Sequence, residues 1–448
     1  MNGQTQTDQD RARSLLREWK GPAYTFGCDV IDAVGPYARE IGRTAALIVT
    51  DLGVDWIEGA RQRVVGNLLE SGVRCVSIAG AGPNAPLEDL YRISFQVSRS
   101  GADMIVALGG GSTIDAGKAA AVLNAYAPAA AAEVLNAPVS IADGIVPYFG
   151  TGLVSRLRQE TGRPPLPLIA VQTASSSGAH LTKYANITDL RRRQKKLIVD
   201  EAIIPAAAVF DFNLTLSAPP VLSVDGGLDG LSHIWEVFMG TRDPGLLEKM
   251  RAVAETGLRL IISGLRLIRA SPADSEGRTS LGLGTDLGAY AIMIGGTSGP
   301  HLGSFSLVDI MSHGRACALL LPYYTVLFAP VIQDQLRLMG TILARLGLLP
   351  VDMEKLAGRE SALAVAQALI GFLKELDFPT TLRGAGASES DVERMLAAAK
   401  DPALKMKLQN MPIPMDADRG DVDRLMGPVL EAAYSGKLDL IPQPSELV

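Results

Sequence analysis

The sequence lacks the features that mark secreted, membrane-bound or nucleic-acid-binding proteins. Only 3 of its 448 residues are cysteines. No two of them form a C-x-x-C pair, so we expect no disulfide framework and a reduced, cytoplasmic compartment. The net charge is −6 and the one basic cluster is "RRRQKK" at residues 191–196, which argues against a nucleic-acid partner. The N-terminus has no apolar core of the signal-peptide kind, and the alanine-rich residues 118–138 are too mildly apolar to span a bilayer, so no membrane partner is expected.

The hydrophobic pattern changes character about halfway along the chain. Apolar strand patterns such as "AALIVTD", "VRCVSIAG" and "DMIVALGGG" alternate with amphipathic helix patterns in the first half. This order predicts a parallel sheet with helices on both faces. Later segments read as long helices with almost no strand signal. We therefore predict an α/β domain with a parallel, Rossmann-like sheet over residues 1–218 and an all-helical domain over residues 219–448.

A glycine-rich stretch, "ALGGGSTIDAGKAAA", follows one predicted strand. It is not a P-loop, because five residues rather than four separate Gly111 from Gly117 and no hydroxyl follows Lys118. The three glycines at 109–111 let the backbone approach an anion, and a helix starting near Thr113 offers free amide groups. The stretch indicates a phosphate-binding loop. The alternative is an ordinary strand-to-helix turn, which needs only one glycine.

Three of the four histidines lie in the helical half. Asp229 and His233 are four residues apart in a helical segment, which places carboxylate and imidazole on one face. His301 and His313 follow in an apolar context. Imidazole and carboxylate suit iron or zinc. From spacing alone, a divalent-metal site and a set of hydrogen-bonded core side chains are both open.

Several motifs occur together in one order along most of the chain. They are "YTFGCDV", "LIVTDLG", "AGPNAP", "ADMIVALGGGSTIDAGKA", "TASSSGAHLT", "GGLDGLSHIWE" and "HGRACALLLP". In this order they resemble the iron-containing (group III) alcohol dehydrogenases of the dehydroquinate-synthase-like superfamily. The resemblance implies a dehydroquinate-synthase-like fold with a nicotinamide dinucleotide in a cleft. It also implies a divalent metal held by the helical domain, iron(II) first and zinc(II) as the alternative.

The resemblance assigns roles to four residues of the helical half. The implied metal ligands are Asp229, His233, His301 and His313. The family often carries H-x-x-x-H where this chain has a single histidine, with Thr297 four residues before it. Two roles for His301 are therefore open: the metal ligand, which we favour, or the family's second, catalytic histidine.

The resemblance also places the coenzyme on the first half. The implied contacts are Gly110, Gly111 and Ser112 with the pyrophosphate, Asp51 with the adenosine ribose, and Thr173 and Ser177 beside the nicotinamide. Lys196 is implied near the cofactor, with Lys195 as an equal claimant. Asp115 matches the signature motif and is assigned to the cleft as a catalytic candidate. An acid at position 51 repels a 2′-phosphate, so NAD(H) is expected over NADP(H).

The expected function is a metal-dependent, NAD(H)-linked alcohol dehydrogenase, or aldehyde or ketone reductase, on a small-molecule substrate. Hydride passes between the nicotinamide and a carbon whose oxygen binds the metal. A homodimer or higher homo-oligomer is expected, because a parallel sheet has edges that need cover. The alternatives are a glycerol-1-phosphate dehydrogenase, a dehydroquinate-synthase-like enzyme, and a non-catalytic nucleotide-binding protein with a structural metal.

Overall fold

The computed structural model describes residues 7–50, 55–127 and 146–443. Two compact units divide the chain. The sheet unit comprises Leu16–Ser223 and Ala273–Gly282, and the helical unit comprises Met1–Leu15, Val224–Pro272 and Leu283–Val448. A domain boundary after residue 218 stays a prediction. None of the helices in the described ranges combines the length and apolar character that a membrane crossing needs.

A six-stranded, entirely parallel sheet forms the centre of the sheet unit. Its strand order is β1-β9-β6-β4-β2-β3. The strands are β1 (Tyr24–Gly27), β2 (Thr44–Val49), β3 (Arg74–Ala79), β4 (Met104–Gly109), β6 (Leu168–Gln172) and β9 (Ala207–Asp211). The predicted parallel sheet is confirmed, and all described strands lie at or before Asp211.

Helices cover both faces of this sheet. They are α2 (Val34–Ile41), α3 (Asp55–Glu70), α4 (Leu87–Ser100), α5 (Gly111–Tyr126) and α6 (Leu153–Thr161), and α1 (Asp8–Lys20) precedes β1 in the chain. Strand β2 shows how the faces separate: Ala46 and Ile48 belong to one buried cluster and Leu47 to the other. A strand buried on both faces reads as a continuous apolar run, which is why the sequence pattern found it.

A second, three-stranded sheet pairs β5 (Gly150–Thr151), β8 (Gln194–Val199) and β7 (Tyr184–Asp189) in the order β5-β8-β7. Strands β7 and β8 form an antiparallel hairpin, as their alternating pattern predicts. The Asp189 carboxylate stabilises the turn by accepting the backbone N–H groups of Arg191 and Arg192 at 3.1 Å each.

The helical half continues from α7 onwards. Its helices are α7 (Pro220–Gly240), α8 (Pro244–Ala270), α9 (Ser275–Ile294), α10 (Gly299–Ser304), α11 (His313–Leu327), α12 (Gln333–Arg345), α13 (Gly358–Glu375), α14 (Glu389–Ala399), α15 (Lys405–Gln409) and α16 (Gly427–Ser435). The sequence reads residues 314–347 as one helical stretch, but the structure breaks it between α11 and α12. The break includes Pro330, which cannot donate a backbone hydrogen bond.

Candidate functional site

Helix α7 presents three acidic or imidazole side chains along one stripe. Asp229, His233 and Glu236 are spaced at four and three residues, so they lie one above the other on the helix surface. Close packing holds this helix in place: a Cβ added at Gly230 would lie 2.9 Å from the Thr285 side chain of α9. The small residue lets the two helices approach, which buries the stripe inside the helical unit.

The four side chains implied as metal ligands meet at one point in the helical unit. The Oδ1 atom of Asp229 lies 3.8 Å from Nε2 of His233, 3.5 Å from Nε2 of His301 and 3.8 Å from Nε2 of His313. Asp229 is 3 % exposed, His233 4 % and His301 3 %. The rings of His233 and His301 stack with centroids 4.7 Å apart. The structure thus brings together residues that are up to 84 positions apart in the sequence.

Hydrogen bonds on the far side of two rings set their tautomers. Nδ1 of His301 donates to Glu236 Oε1 at 2.6 Å. Ser304 donates its hydroxyl hydrogen to the His301 carbonyl at 2.7 Å, so the 3.0 Å contact between its oxygen and Nδ1 of His313 is donated by the ring. Both rings therefore turn an Nε2 lone pair towards Asp229.

This arrangement fits a divalent cation. Asp229 Oδ1 and His301 Nε2 are buried and have no hydrogen-bond partner among the described residues. Two acceptors facing each other repel unless a cation lies between them. Ligands bound tetrahedrally at 2.0–2.1 Å from zinc would lie about 3.4 Å apart, close to the separations of 3.5–3.8 Å found here. The carboxylate behind His301 is the partner that metal-binding histidines usually have.

The electrostatics of the cluster match this interpretation. Burial alone would raise the pKa of Asp229, but the imidazoles of His233, His313 and His301 hold it well below its usual range. Burial lowers the pKa of His233 to about 4 against the opposing effect of Asp229, so this ring is neutral near pH 7. Burial also opposes protonation of His301, but Cys317 and Glu236 raise its pKa well above the usual value.

Three residues of this region were not predicted as site residues. They are Glu236, Ser304 and Cys317. Glu236 follows His233 by three residues within the quoted motif, and Cys317 follows His313 by four. Helical spacing was the available signal for both. Ser304 contacts the His313 ring nine positions later in the chain, and no local pattern reveals that contact.

The glycine stretch forms the turn between β4 and α5. A Cβ added at Gly109 would lie 2.6 Å from Thr50 Oγ1, and one at Gly111 would collide with Ser177 Oγ. These two glycines are required by the packing of the chain itself. A Cβ at Gly110, the N-cap of α5, would have Ala174 at 3.8 Å as its nearest neighbour. Helix α5 begins at Gly111, two residues before the predicted start, and its first-turn amides make the anion-binding end of a helix.

The other implied coenzyme contacts are distributed around this turn. Ser177 Oγ is buried and has no hydrogen-bond partner among the described residues. Thr173 is buried, and its backbone N–H donates to the Gly109 carbonyl at 3.2 Å. Ser112 is partly exposed in the first turn of α5. Asp51 lies outside the described residues. A hydroxyl without a partner beside a helix N-terminus fits a site for a polar ligand.

The signature acid and lysine of α5 attach this helix to strand β7. The Asp115 carboxylate accepts the backbone N–H of Asn186 at 3.0 Å and its side-chain amide at 3.2 Å. Lys118 donates to the carbonyls of Thr182 and Tyr184 at 2.7 and 2.8 Å. Burial raises the pKa of Asp115 and lowers that of Lys118 to about 8. These contacts are structural, and a catalytic role for Asp115 stays a prediction.

The two candidate lysines of β8 differ in burial. Lys195 is 6 % exposed and lowers the pKa of Asp115. Lys196 is partly exposed and pairs across the hairpin with Ile187. Neighbouring residues of a strand point to opposite faces. At most one of the two therefore faces any single ligand, and the choice between them stays open.

Comparisons with known proteins cover almost the whole chain. Residues 22–212 match the family model of the iron-containing alcohol dehydrogenases, and residues 223–425 match the C-terminal model of the same family. The chain is 26% identical to long-chain-alcohol dehydrogenase 1 of Geobacillus thermodenitrificans over 93% of this chain and 96% of the relative. It is 24% identical to the NAD-dependent methanol dehydrogenase of Bacillus methanolicus over 83% and 90%. A solved alcohol dehydrogenase from Oenococcus oeni shares the fold, with a TM-score of 0.74 at 22% identity over 92% of this chain and 98% of that one. The chain belongs to the iron-containing alcohol dehydrogenase family.

Proposed function

We propose that this chain is a metal-dependent, NAD(H)-linked alcohol dehydrogenase, or aldehyde or ketone reductase, with the divalent metal on the helical unit. The observation that carries the proposal is the convergence of three Nε2 atoms within 3.8 Å of the buried Asp229 Oδ1. The proposed ligands are Asp229, His233, His301 and His313. Iron(II) is the first choice and zinc(II) the alternative. The matched family and the named relatives do not favour the three alternative functions considered from the sequence.

In the proposed reaction the bound metal and coenzyme supply the chemistry, and side chains of this chain hold and orient the metal ligands. A bound divalent ion supplies Lewis-acid polarisation of the substrate oxygen, and the nicotinamide supplies or accepts the hydride. Asp229 and the imidazoles would hold that ion, and Glu236 fixes the orientation of His301 through the 2.6 Å hydrogen bond. In this proposal His301 acts as a ligand rather than as an acid or base, since its Nδ1 proton is committed to Glu236.

The sheet unit is proposed to bind NAD(H) at the β4–α5 turn. Gly110, Gly111 and Ser112 would hold the pyrophosphate, and Thr173 and Ser177 would lie beside the nicotinamide. The amide-rich turn and the buried, unpartnered Ser177 hydroxyl support this assignment. Lys196 or Lys195 would lie near the coenzyme.

A preference for NAD(H) over NADP(H) is proposed from Asp51. A carboxylate at the ribose accepts from the 2′-hydroxyl and repels a 2′-phosphate. Asp51→Ala should therefore lower the ratio of NADH to NADPH affinity, measured by fluorescence titration. An unchanged ratio of NADH to NADPH affinity would show that Asp51 does not determine the coenzyme preference.

The substrate is proposed to be a small alcohol or its aldehyde or ketone. The named relatives act on long-chain alcohols and on methanol, so their names do not select one chain length. A homodimer or higher homo-oligomer is proposed from the edges of the parallel sheet, and light scattering coupled to size exclusion would measure the assembly.

The deciding experiment combines a substrate screen with loss of the metal. The purified chain is assayed for NADH oxidation with aldehydes and ketones of increasing length, after loading with iron(II) or zinc(II). Asp229→Asn should lose bound metal and turnover while keeping NADH affinity, because Asp229 is the carboxylate shared by all three imidazoles. Asp243→Asn is the matched control, since Asp243 caps α8 through the Leu246 N–H and asparagine caps equally well. Full turnover in a metal-free Asp229→Asn preparation would refute the proposal.

A further inference from the structure

A thiol lies beside the proposed metal centre. Cys317 is fully buried on α11, one turn after His313. Its Sγ atom lies 3.9 Å from Nδ1 and 4.0 Å from Nε2 of His313. One ligand atom each from Asp229, His301, His313 and Cys317 fits within a mutual distance of 4.8 Å. That group includes the thiol and does not include His233.

A second observation shows that this group is directed at a cation. Two of its other members, Asp229 Oδ1 and His301 Nε2, are buried and have no hydrogen-bond partner among the described residues. The carboxylate oxygen is an acceptor, and so is Nε2 of the neutral His301 ring, because its one ring proton goes to Glu236. The sulfur therefore borders two unsatisfied acceptor atoms that a positive ion would satisfy.

We propose that the Cys317 thiolate is a ligand of the metal, completing a four-donor set with Asp229, His301 and His313. His233 is then a fifth donor that competes with the sulfur for the ion. This inference rests on the proposed metal-dependent function and specifies the chemistry of its centre. On metal binding the thiol releases its proton to solvent and the sulfur lone pair forms the bond to the ion.

Thiolate coordination changes which metal the centre retains. Sulfur is a soft ligand that favours zinc, whereas an all-nitrogen and oxygen site suits iron(II) as well. A zinc–sulfur bond of about 2.3 Å is compatible with a sulfur next to the imidazoles. We therefore expect the ratio of zinc to iron(II) affinity to fall by about tenfold or more when the sulfur is removed.

The test uses cobalt(II) as a spectroscopic probe in a protein with one thiol. The chain has three cysteines, and Cys28 is exposed while Cys75 is partly exposed. The double variant Cys28→Ser/Cys75→Ser removes both other thiols and leaves Cys317. The cobalt-loaded double variant should show a thiolate-to-cobalt charge-transfer band in the near ultraviolet. Adding Cys317→Ser should abolish the band while cobalt still binds.

Two further variants keep the test decisive. Cys317→Ala, checked by circular dichroism and thermal unfolding, guards against a serine-specific folding defect and should also lack the band. His233→Ala in the double-variant background should keep the band, because the four-donor set that includes Cys317 remains. Bound cobalt without a band in the double variant, or a band that survives both substitutions of Cys317, would overturn the inference alone. Failure of the unmodified chain to bind any divalent metal would overturn the proposed function with it.

Discussion

Replacing Glu236 by glutamine tests how far the metal centre depends on a group that touches no ion. The Glu236 carboxylate is buried and accepts three donors: Nδ1–H of His301 at 2.6 Å on Oε1, and the backbone N–H and the hydroxyl of Ser298 at 2.8 and 3.3 Å on Oε2. Glutamine has nearly the same shape but offers one acceptor oxygen and one NH2 group. Either Nδ1–H of His301 or the backbone N–H of Ser298 must then face the NH2 group.

The size of the effect follows from which donor loses its partner. If the NH2 group faces His301, the ring changes tautomer and its Nε2 atom carries a hydrogen, so it cannot bind a cation. If the NH2 group faces Ser298, a buried N–H loses its acceptor at a cost of about 1–3 kcal/mol. Loss of such an outer partner typically lowers metal affinity by 10–100-fold, or about 1.4–2.7 kcal/mol. We expect the dissociation constant for zinc to rise within that range in Glu236→Gln.

The assay is competition with a chromophoric chelator, with NADH affinity measured in parallel. NADH affinity should not change, because the proposed coenzyme contacts lie in the sheet unit. Glu255→Gln is the matched control, since Glu255 forms partly exposed ion pairs with Arg11 and Arg259. A zinc affinity in Glu236→Gln within twofold of the unmodified chain would refute the view that this carboxylate orients the His301 ligand.

Two further predictions concern the sheet unit. Gly110→Ala should weaken NADH binding with little loss of stability, because its Cβ would have space and only the N-cap preference for glycine over alanine is lost. Gly109→Ala should lower the free energy of unfolding in urea by about 1–3 kcal/mol through the contact with Thr50. Equal stability losses in both variants would contradict this. Burial lowers the pKa of Lys118 to about 8, so above that pH the folded chain releases a proton that the unfolded chain holds to about pH 10.4. Stability relative to Lys118→Met should therefore rise between pH 8 and 10, and parallel stability curves for the two proteins would refute the shift.

The parts of the fold that the sequence predicts are those set by burial on both faces or by alternation. Strands β2, β4 and β6 are continuous apolar runs because helices cover both sides of the sheet. The hairpin of β7 and β8 follows from its period of two. The break between α11 and α12 was missed because Pro322 lies inside α11 while Pro330 lies in the break. Apolar periodicity alone does not tell which proline interrupts a helix.

Sequence spacing predicts only part of the metal centre, and the rest depends on tertiary packing. The four-residue spacing of Asp229 and His233 is helical geometry and predicts that they are neighbours. His301 and His313 lie close to Asp229 and His233 because of the way α10 and α11 pack. The spacing of residues in the sequence does not predict that packing. The family resemblance supplied that grouping, and the matched family models confirm the resemblance. The Cys317 contact follows from neither.

The summed charge of the buried groups around the metal centre favours a thiolate at Cys317 when a divalent ion is bound. Asp229 and Glu236 are buried carboxylates, and Lys407 is a buried ammonium group that Glu236 and Cys317 both influence. Burial lowers the pKa of Lys407 to about 8, so it is mostly charged near pH 7 and these three groups leave one negative charge. A divalent ion with a neutral thiol would turn this into one positive charge. With the Cys317 thiolate the buried set is neutral, and a neutral set costs least to hold in a low-dielectric interior.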